Sequence, residues 1–318
     1  MVPPVRERAQ EDVLTRFAIE LEDDFSLAAA GEFLRGFTPA SGGAASAESR
    51  LSLGFLLDGS FAPVAVALEQ NGRRITGTTD GSAAAVKRQV ERILSLDVDG
   101  SGWAALGRRD PVVGALQERY RGSRAVCFPS PYEAALWGIL AQRVSMTQAS
   151  RVKEKLAREH GAVLTAGGAE VIVPPAPQAL LAIDAIAGVP DEKLHRLRGI
   201  AEAALAGQLD AERLRAMPEE SALAELGSLR GVGAWTAAHI LYRGAGLADA
   251  LPAGEPRVLR AVKQAYALAR VPSAARFAEI AEAWRPYRMW VAILLVRSIA
   301  GTASWSARGD SARRGRRA

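Results

Sequence analysis

Residues 51–79, LSLGFLLDGSFAPVAVALEQNGRRITGTT, restrict the fold more than any other stretch of the chain. Short apolar runs are broken there by Asp58-Gly59 and Asn71-Gly72, dipeptides suited to tight turns between antiparallel strands. The run VLTRFAIEL (13–21) adds a further strand, with Val13, Phe17, Ile19 and Leu21 on one side of a period-two pattern. Helices are expected at about 25–35 and 82–95, the second with Val86, Val90, Ile93 and Leu94 on one face. Between the first helix and the meander, TPASGGAASAES (38–49) reads as a flexible loop.

From about residue 107 onward the pattern becomes wholly helical. Ser130-Pro131-Tyr132-Glu133 supplies an N-cap, a proline at the first helical position and an acid at the third. The helix it starts is expected to carry Leu136, Ile139, Leu140 and Val144 on one stripe, and a later one Leu194, Leu197, Ile200 and Leu205. The expected fold class is an α+β N-terminal domain with a small antiparallel sheet, followed by all-α domains, mainly α overall. The expected divisions are 1–106 for the α+β domain and 131–247 for a helical domain. Residues 107–130 plus 248–301 form a second helical subdomain, and 302–318 a basic disordered tail.

Charge narrows the choice of partner. The net charge is +5, but residues 302–318 hold five Arg and one Asp, so the other 301 residues carry only +1. Any nucleic-acid site must be a local patch, not a global field. The single cysteine, Cys127, excludes an internal disulfide framework and a cysteine-rich zinc or iron–sulfur site. The start MVPPVRERAQEDV has no apolar core of a signal peptide, and the longest apolar run, MWVAILLV (289–296), is too short to span a bilayer. A cytoplasmic monomer with no membrane partner is expected.

The stretch LRGVGAWTAA (229–238) lies between two helical patterns and places Gly231 and Gly233 two apart in the turn. Glycine permits positive φ and close approach of the backbone to a partner. A helix beginning just after such a turn offers free N–H groups to an anion, so backbone amides can hold a phosphate without reading sequence. A tight packing turn between helices uses the same residues.

Four segments together resemble the DNA-3-methyladenine glycosylase II family, within the helix-hairpin-helix base-excision glycosylases. Leu229, Gly231, Val232, Gly233, Thr236 and Ala237 are similar to the hairpin of that superfamily. SPYEAALWGILAQRVSMTQAS (130–150), LADALPAGEPRVLRAV (247–262) and EAWRPYRMWVAILLVRSIAG (282–301) resemble three further family segments in the same order. The resemblance implies a helix-hairpin-helix glycosylase fold and hydrolysis of the N-glycosidic bond of alkylated purines in damaged double-stranded DNA. The damaged nucleotide would be flipped out of the stack, as the first step of base excision repair.

The resemblance also assigns residues. The family carboxylate that faces the deoxyribose lies 20 residues beyond an aromatic position in the second hairpin helix. With Trp235 at that aromatic position, Glu255 stands where the family has Asp. Trp235 and His239 match pocket positions, and Val296 matches a place where many relatives have Trp. Gly231, Val232, Gly233, Ala234 and Thr236 fall in the DNA-binding hairpin, Arg143 at the wedge that fills the gap left by the flipped base, and Gln142 beside it. The carbonyls of Gly227, Leu229 and Val232 match those that hold a monovalent cation, Na or K; no other cofactor is implied. Relatives that also cut the backbone carry Lys where this chain has Trp235, which implies a monofunctional enzyme. Glu255 and Val296 depart from the family at one site. The alternative is therefore a catalytically impaired protein that binds damaged DNA, or a hydrolase of another N-glycosidic substrate.

Overall fold

The computed structural model describes residues 14–300; Val13 and the basic segment 302–318 lie outside the described residues. The chain opens with β1 (Thr15–Glu20), α1 (Leu27–Gly36), β2 (Ala44–Ala47), β3 (Arg50–Leu56), β4 (Pro63–Asn71), β5 (Arg74–Thr79) and α2 (Ala83–Ile93). The strands form one antiparallel sheet in the order β1-β5-β4-β3-β2. Asn71 pairs with Arg74, so the β4–β5 turn has two residues, and the meander expected from the sequence is present. The expected loop at 38–49 is different: Ala44–Ala47 pair with β3 as an edge strand. Alanine and serine carry too weak a strand signal to show this without the partner that β3 provides.

The rest of the chain is mostly helix: α3 (Trp103–Arg109), α4 (Pro111–Arg119), α5 (Pro131–Leu140) and α6 (Met146–His160) come first. An antiparallel hairpin follows, β6 (Ala162–Ala166) and β7 (Ala169–Val173), which corrects the expectation of helix alone beyond residue 107. Then come α7 (Pro177–Leu181), α8 (Asp191–Leu205), α9 (Ala211–Ala216), α10 (Glu219–Ser228), α11 (Ala234–His239), α12 (Pro256–Ala265), α13 (Ala274–Glu282) and α14 (Arg288–Ala300). A π-helical turn, Ile240–Gly244, continues α11 without a break.

The β6–β7 hairpin lies on the first sheet. Ser52 Oγ donates to the Ala166 carbonyl at 2.9 Å, and Ile172 N–H donates to the Gly42 carbonyl at 2.8 Å. One core of buried side chains runs from the sheet into the helices.

Helix α5 is the hub of the helical part. Ser130 Oγ accepts from Glu133 N–H at 3.1 Å, as the Ser-Pro-x-Glu start requires, and every residue of the helix is buried. The helix ends at Leu140, so Val144 lies in the turn beyond it and outside the stripe. Burial of Tyr132, Leu136, Trp137, Ile139 and Leu140 contributes about 1.5–3 kcal/mol for each aliphatic side chain relative to exposure. The Glu133 carboxylate turns away from its own helix and accepts from Leu56 N–H at 3.2 Å, fastening α5 to β3. Burial drives the Glu133 pKa up to about 7 against the opposing charge of Lys153.

Candidate functional site

Helices α10 and α11 with the turn 229–233 form the expected helix-hairpin-helix. Gly231 has φ +83°, a region that costs an L-residue energy, and a Cβ there would lie 2.5 Å from Arg196 Cδ. Gly233 is different: its φ of −85° suits any residue, yet a Cβ there would meet nothing within 4 Å. It stands bare at the start of α11, where no side chain caps the helix. The N–H groups of the first turn therefore lack a side-chain acceptor.

The hairpin residues split into two sets. Gly233 and Ala234 are exposed, whereas Val232 is 5% and Thr236 6% exposed. Thr236 packs against α5 at Gly138, where a Cβ would come within 2.8 Å of Thr236 Cγ2. Both residues, expected at the DNA face, have buried side chains, that of Thr236 against α5, and only their backbone remains for a ligand. The Leu229 carbonyl accepts from Val232 N–H at 3.0 Å, which uses one of its two lone pairs. Gly227, the third expected carbonyl besides Leu229 and Val232, lies in the last turn of α10.

Gln142 is tied to the hairpin. Its Nε2 donates to the Gly231 carbonyl at 2.8 Å, and its Oε1 accepts from Arg196 Nη1 at 3.0 Å. Lys193 Nζ donates to the Gln142 carbonyl at 2.9 Å from the other side. The next residue, Arg143, is exposed and has φ +59°. A non-glycine residue in that region is held there by its surroundings, and the Gln142 brace is the fastening the structure shows.

Trp235, the second residue of α11, is 45% exposed and lies flat on His239, with ring centroids 5.0 Å apart and planes 10° from parallel. His239 in turn meets the edge of Phe128 at 5.0 Å. Its Nε2 is buried without a hydrogen-bond partner. Burial, with the nearby charges of Arg243 and Arg257, lowers its pKa to about 3, so the imidazole is neutral at physiological pH.

Glu255 caps α12, accepting from Arg257 N–H at 3.1 Å. Trp235 Nε1 donates to Glu255 Oε2 at 3.0 Å, so the indole of one helix start holds the carboxylate at another. Arg257 forks onto the same carboxylate, Nε to Oε1 at 2.8 Å and Nη2 to Oε2 at 3.1 Å. Burial by itself would raise the Glu255 pKa; the hydrogen bonds and charge of Arg257, with Trp235, outweigh it and lower the pKa. The group is a carboxylate at neutral pH.

Two other residues behave differently from what their types suggest. Val296 is 5% exposed in α14, between its buried neighbour Leu295 and the chain's end of the helix, and offers no open stacking face. Arg243 neither caps its helix nor pairs with a carboxylate among the described residues. It is buried, donates from Nη2 to the Val126 carbonyl at 2.7 Å and lies 5.1 Å over the Phe37 ring. Cation–π contact of this kind partly compensates a desolvated guanidinium.

Sequence reasoning missed Arg257, Phe128 and the Gln142 brace. Arg257 left one signal. A cation in the first turn of a helix opposes the helix dipole, so it needs a local reason to be there.

Among the described residues, no helix is long and apolar enough to cross a membrane. No protein-family model matches the chain. The chain is similar to the DNA-3-methyladenine glycosylase of Bacillus subtilis, 23% identical over 216 residues, 67% of this chain and 71% of that protein. It also superposes on the 3-methyladenine DNA glycosylase from Archaeoglobus fulgidus with a TM-score of 0.72 at 23% identity, over 90% of this chain and 99% of the other. An 8-oxoguanine glycosylase/lyase of Clostridium acetobutylicum in complex with double-stranded DNA gives 0.63 at 15% identity, over 90% and 98%. The chain has the fold these glycosylases share.

Proposed function

We propose that this chain is a monofunctional DNA glycosylase that releases alkylated purines from duplex DNA, with Glu255 as its charge-stabilising carboxylate. The observation that carries the reading is the 3.0 Å bond between Trp235 Nε1 and Glu255 Oε2. It brings a carboxylate to the foot of a bare helix-hairpin-helix, on a fold shared with glycosylases. The bare Gly233 and Ala234 backbone faces the phosphates, with a monovalent cation on the carbonyls of Gly227, Leu229 and Val232 adding positive charge beside them. Arg143 fills the space left by the flipped nucleotide.

Alkylation leaves the purine cationic, so the C1′–N bond breaks with both electrons going to the base. The sugar becomes an oxocarbenium-like cation, which a fixed carboxylate stabilises more than it does the ground state. Water then adds to C1′ and gives up one proton. Trp235 has no amine to form a Schiff base with the opened sugar, which restricts the chemistry to hydrolysis. His239, neutral and already stacked, supplies an uncharged ring that does not repel a cationic base.

The Arg257 fork supports a second reading, in which the carboxylate is spent on an internal ion pair and the protein binds damaged DNA without turnover. The deciding experiment is base release from a methylated duplex by wild type, Glu255→Gln and Glu255→Asp. Release by wild type, lost in Glu255→Gln while duplex binding persists, supports the enzyme. An inert wild type that binds the duplex, with release only from Glu255→Asp, supports the binder.

A further inference from the structure

We infer that Arg257 is a positioning residue that holds Glu255 in the free protein and passes to a DNA phosphate when the duplex binds, baring the carboxylate. The inference rests on the glycosylase reading of Glu255, but its own observations are separate.

Four donors converge on that carboxylate. Trp235 Nε1 and Arg257 Nη2 reach Oε2, at 3.0 and 3.1 Å; Arg257 Nε and its backbone N–H reach Oε1, at 2.8 and 3.1 Å. A carboxylate has about four lone-pair sites, so this one is saturated. A guanidinium at hydrogen-bond distance also cancels most of the field that a developing sugar cation would feel. In this state Glu255 is well placed and poorly able to act.

The pair is also asymmetric. The Arg257 side chain is 30% exposed and that of Glu255 16%, so the cation is the outer member and meets an incoming anion first. Arg257 occupies the first turn of the ten-residue α12, where the helix dipole opposes a cation and favours an anion. A phosphate there would satisfy the guanidinium fork, since Arg pairs bidentately with phosphate as it does with carboxylate. Trp235, on the uncapped start of α11, touches the same carboxylate, so the hairpin's open end and Arg257 border one spot. The exchange breaks no covalent bond. It trades one ion pair for another and leaves Glu255 with the Trp235 N–H and its backbone donor.

The test is duplex binding by wild type, Arg257→Gln and Arg257→Lys as a function of salt. The probe is a duplex with a tetrahydrofuran abasic-site analogue, which cannot be turned over. Each phosphate contact steepens the slope of log K against log salt by about 0.9, or roughly threefold in affinity between about 50 and 200 mM. Arg257→Gln should lose that increment, and Arg257→Lys, which keeps the charge, should restore it. On a methylated duplex the loss in Arg257→Gln should fall on KM, with kcat equal to that of wild type because the carboxylate is bare in both bound complexes. An unchanged salt slope, or a lower kcat at unchanged KM, would mark Arg257 as a permanent brace and overturn the inference. The salt slope needs no turnover, so failure of the glycosylase reading would show separately, as absence of base release. Should Arg257→Gln not fold, the Lys variant carries the test. It then predicts a wild-type slope with a wild-type kcat, and a lowered slope or a changed kcat refutes it.

Discussion

The two hairpin glycines should respond to alanine in opposite ways. Gly231→Ala places a Cβ on a backbone with φ +83°, which costs about 1–2 kcal/mol. The new methyl also lies 2.5 Å from Arg196 Cδ, and Arg196 must move to clear it. That move breaks its 3.0 Å bond to Gln142, worth about another 1 kcal/mol. The expected loss is about 2–3 kcal/mol, or a fall in Tm of several degrees. Gly233→Ala meets nothing within 4 Å and keeps an ordinary φ, so stability should change by no more than about 0.5 kcal/mol. On DNA the order reverses. A methyl at position 233 stands where a phosphate would approach the backbone N–H groups, and losing one charge-assisted hydrogen bond costs about 1.5–3 kcal/mol. At about 1.4 kcal/mol per factor of ten, duplex affinity should fall roughly ten- to a hundredfold. Thermal unfolding and fluorescence anisotropy with a labelled duplex read the two quantities on the same samples. Wild-type affinity in Gly233→Ala would refute the placement of DNA against this turn.

Three further outcomes are expected. The folded pKa of His239, about 3, lies below the unfolded value near 6.5, so the unfolded chain takes up the extra proton between them and stability falls as pH drops through that window. The loss is at most about 2 kcal/mol at pH 5, and His239→Phe should remove it in urea titrations at pH 5 and 7. For Glu133 the sign is reversed: its folded pKa of about 7 is raised by burial, so the stability its protonation contributes is complete below about pH 4.5 and lost as pH rises to 7. Glu133→Gln keeps an acceptor for Leu56 N–H and should gain on wild type across that interval, with urea midpoints as the measure; a pH-independent difference would show that Glu133 is charged throughout. Trp235→Phe keeps a ring over His239 and removes the N–H that holds Glu255, so base release under single-turnover conditions should slow by about tenfold or more.

How much of this was legible in the sequence depended on how local the cause was. The turn at 229–233 showed itself because its glycines answer to backbone conformation, whereas Glu255 was singled out only through the family resemblance, which places a carboxylate 20 residues beyond Trp235. Thr236 belongs to the same motif, but its burial depends on Gly138, which is nearly a hundred residues away in the chain. The Arg257 fork depends on rotamers that no periodicity encodes. The β6–β7 hairpin is a different case. AVLTA and AEVIV flank Gly167-Gly168, a recognised hairpin signal, and strong helical patterns on either side obscured it.

That hairpin has a consequence for the order in which the protein can be made. Strands β3 and β4 emerge from the ribosome well before residues 162–173, yet those residues cover them: Ala166 and Val171 pack against Ala65, and Val171 fills the space above Gly54. Nascent chains fold from the N-terminus as units complete, and here the first sheet is incomplete until more than half of the polypeptide has been synthesised. Over that interval an apolar sheet face stays uncovered, and a chain truncated before residue 162 keeps it uncovered. A fragment ending near residue 106 would therefore be a sticky intermediate, and the natural unit of expression is one that includes the hairpin.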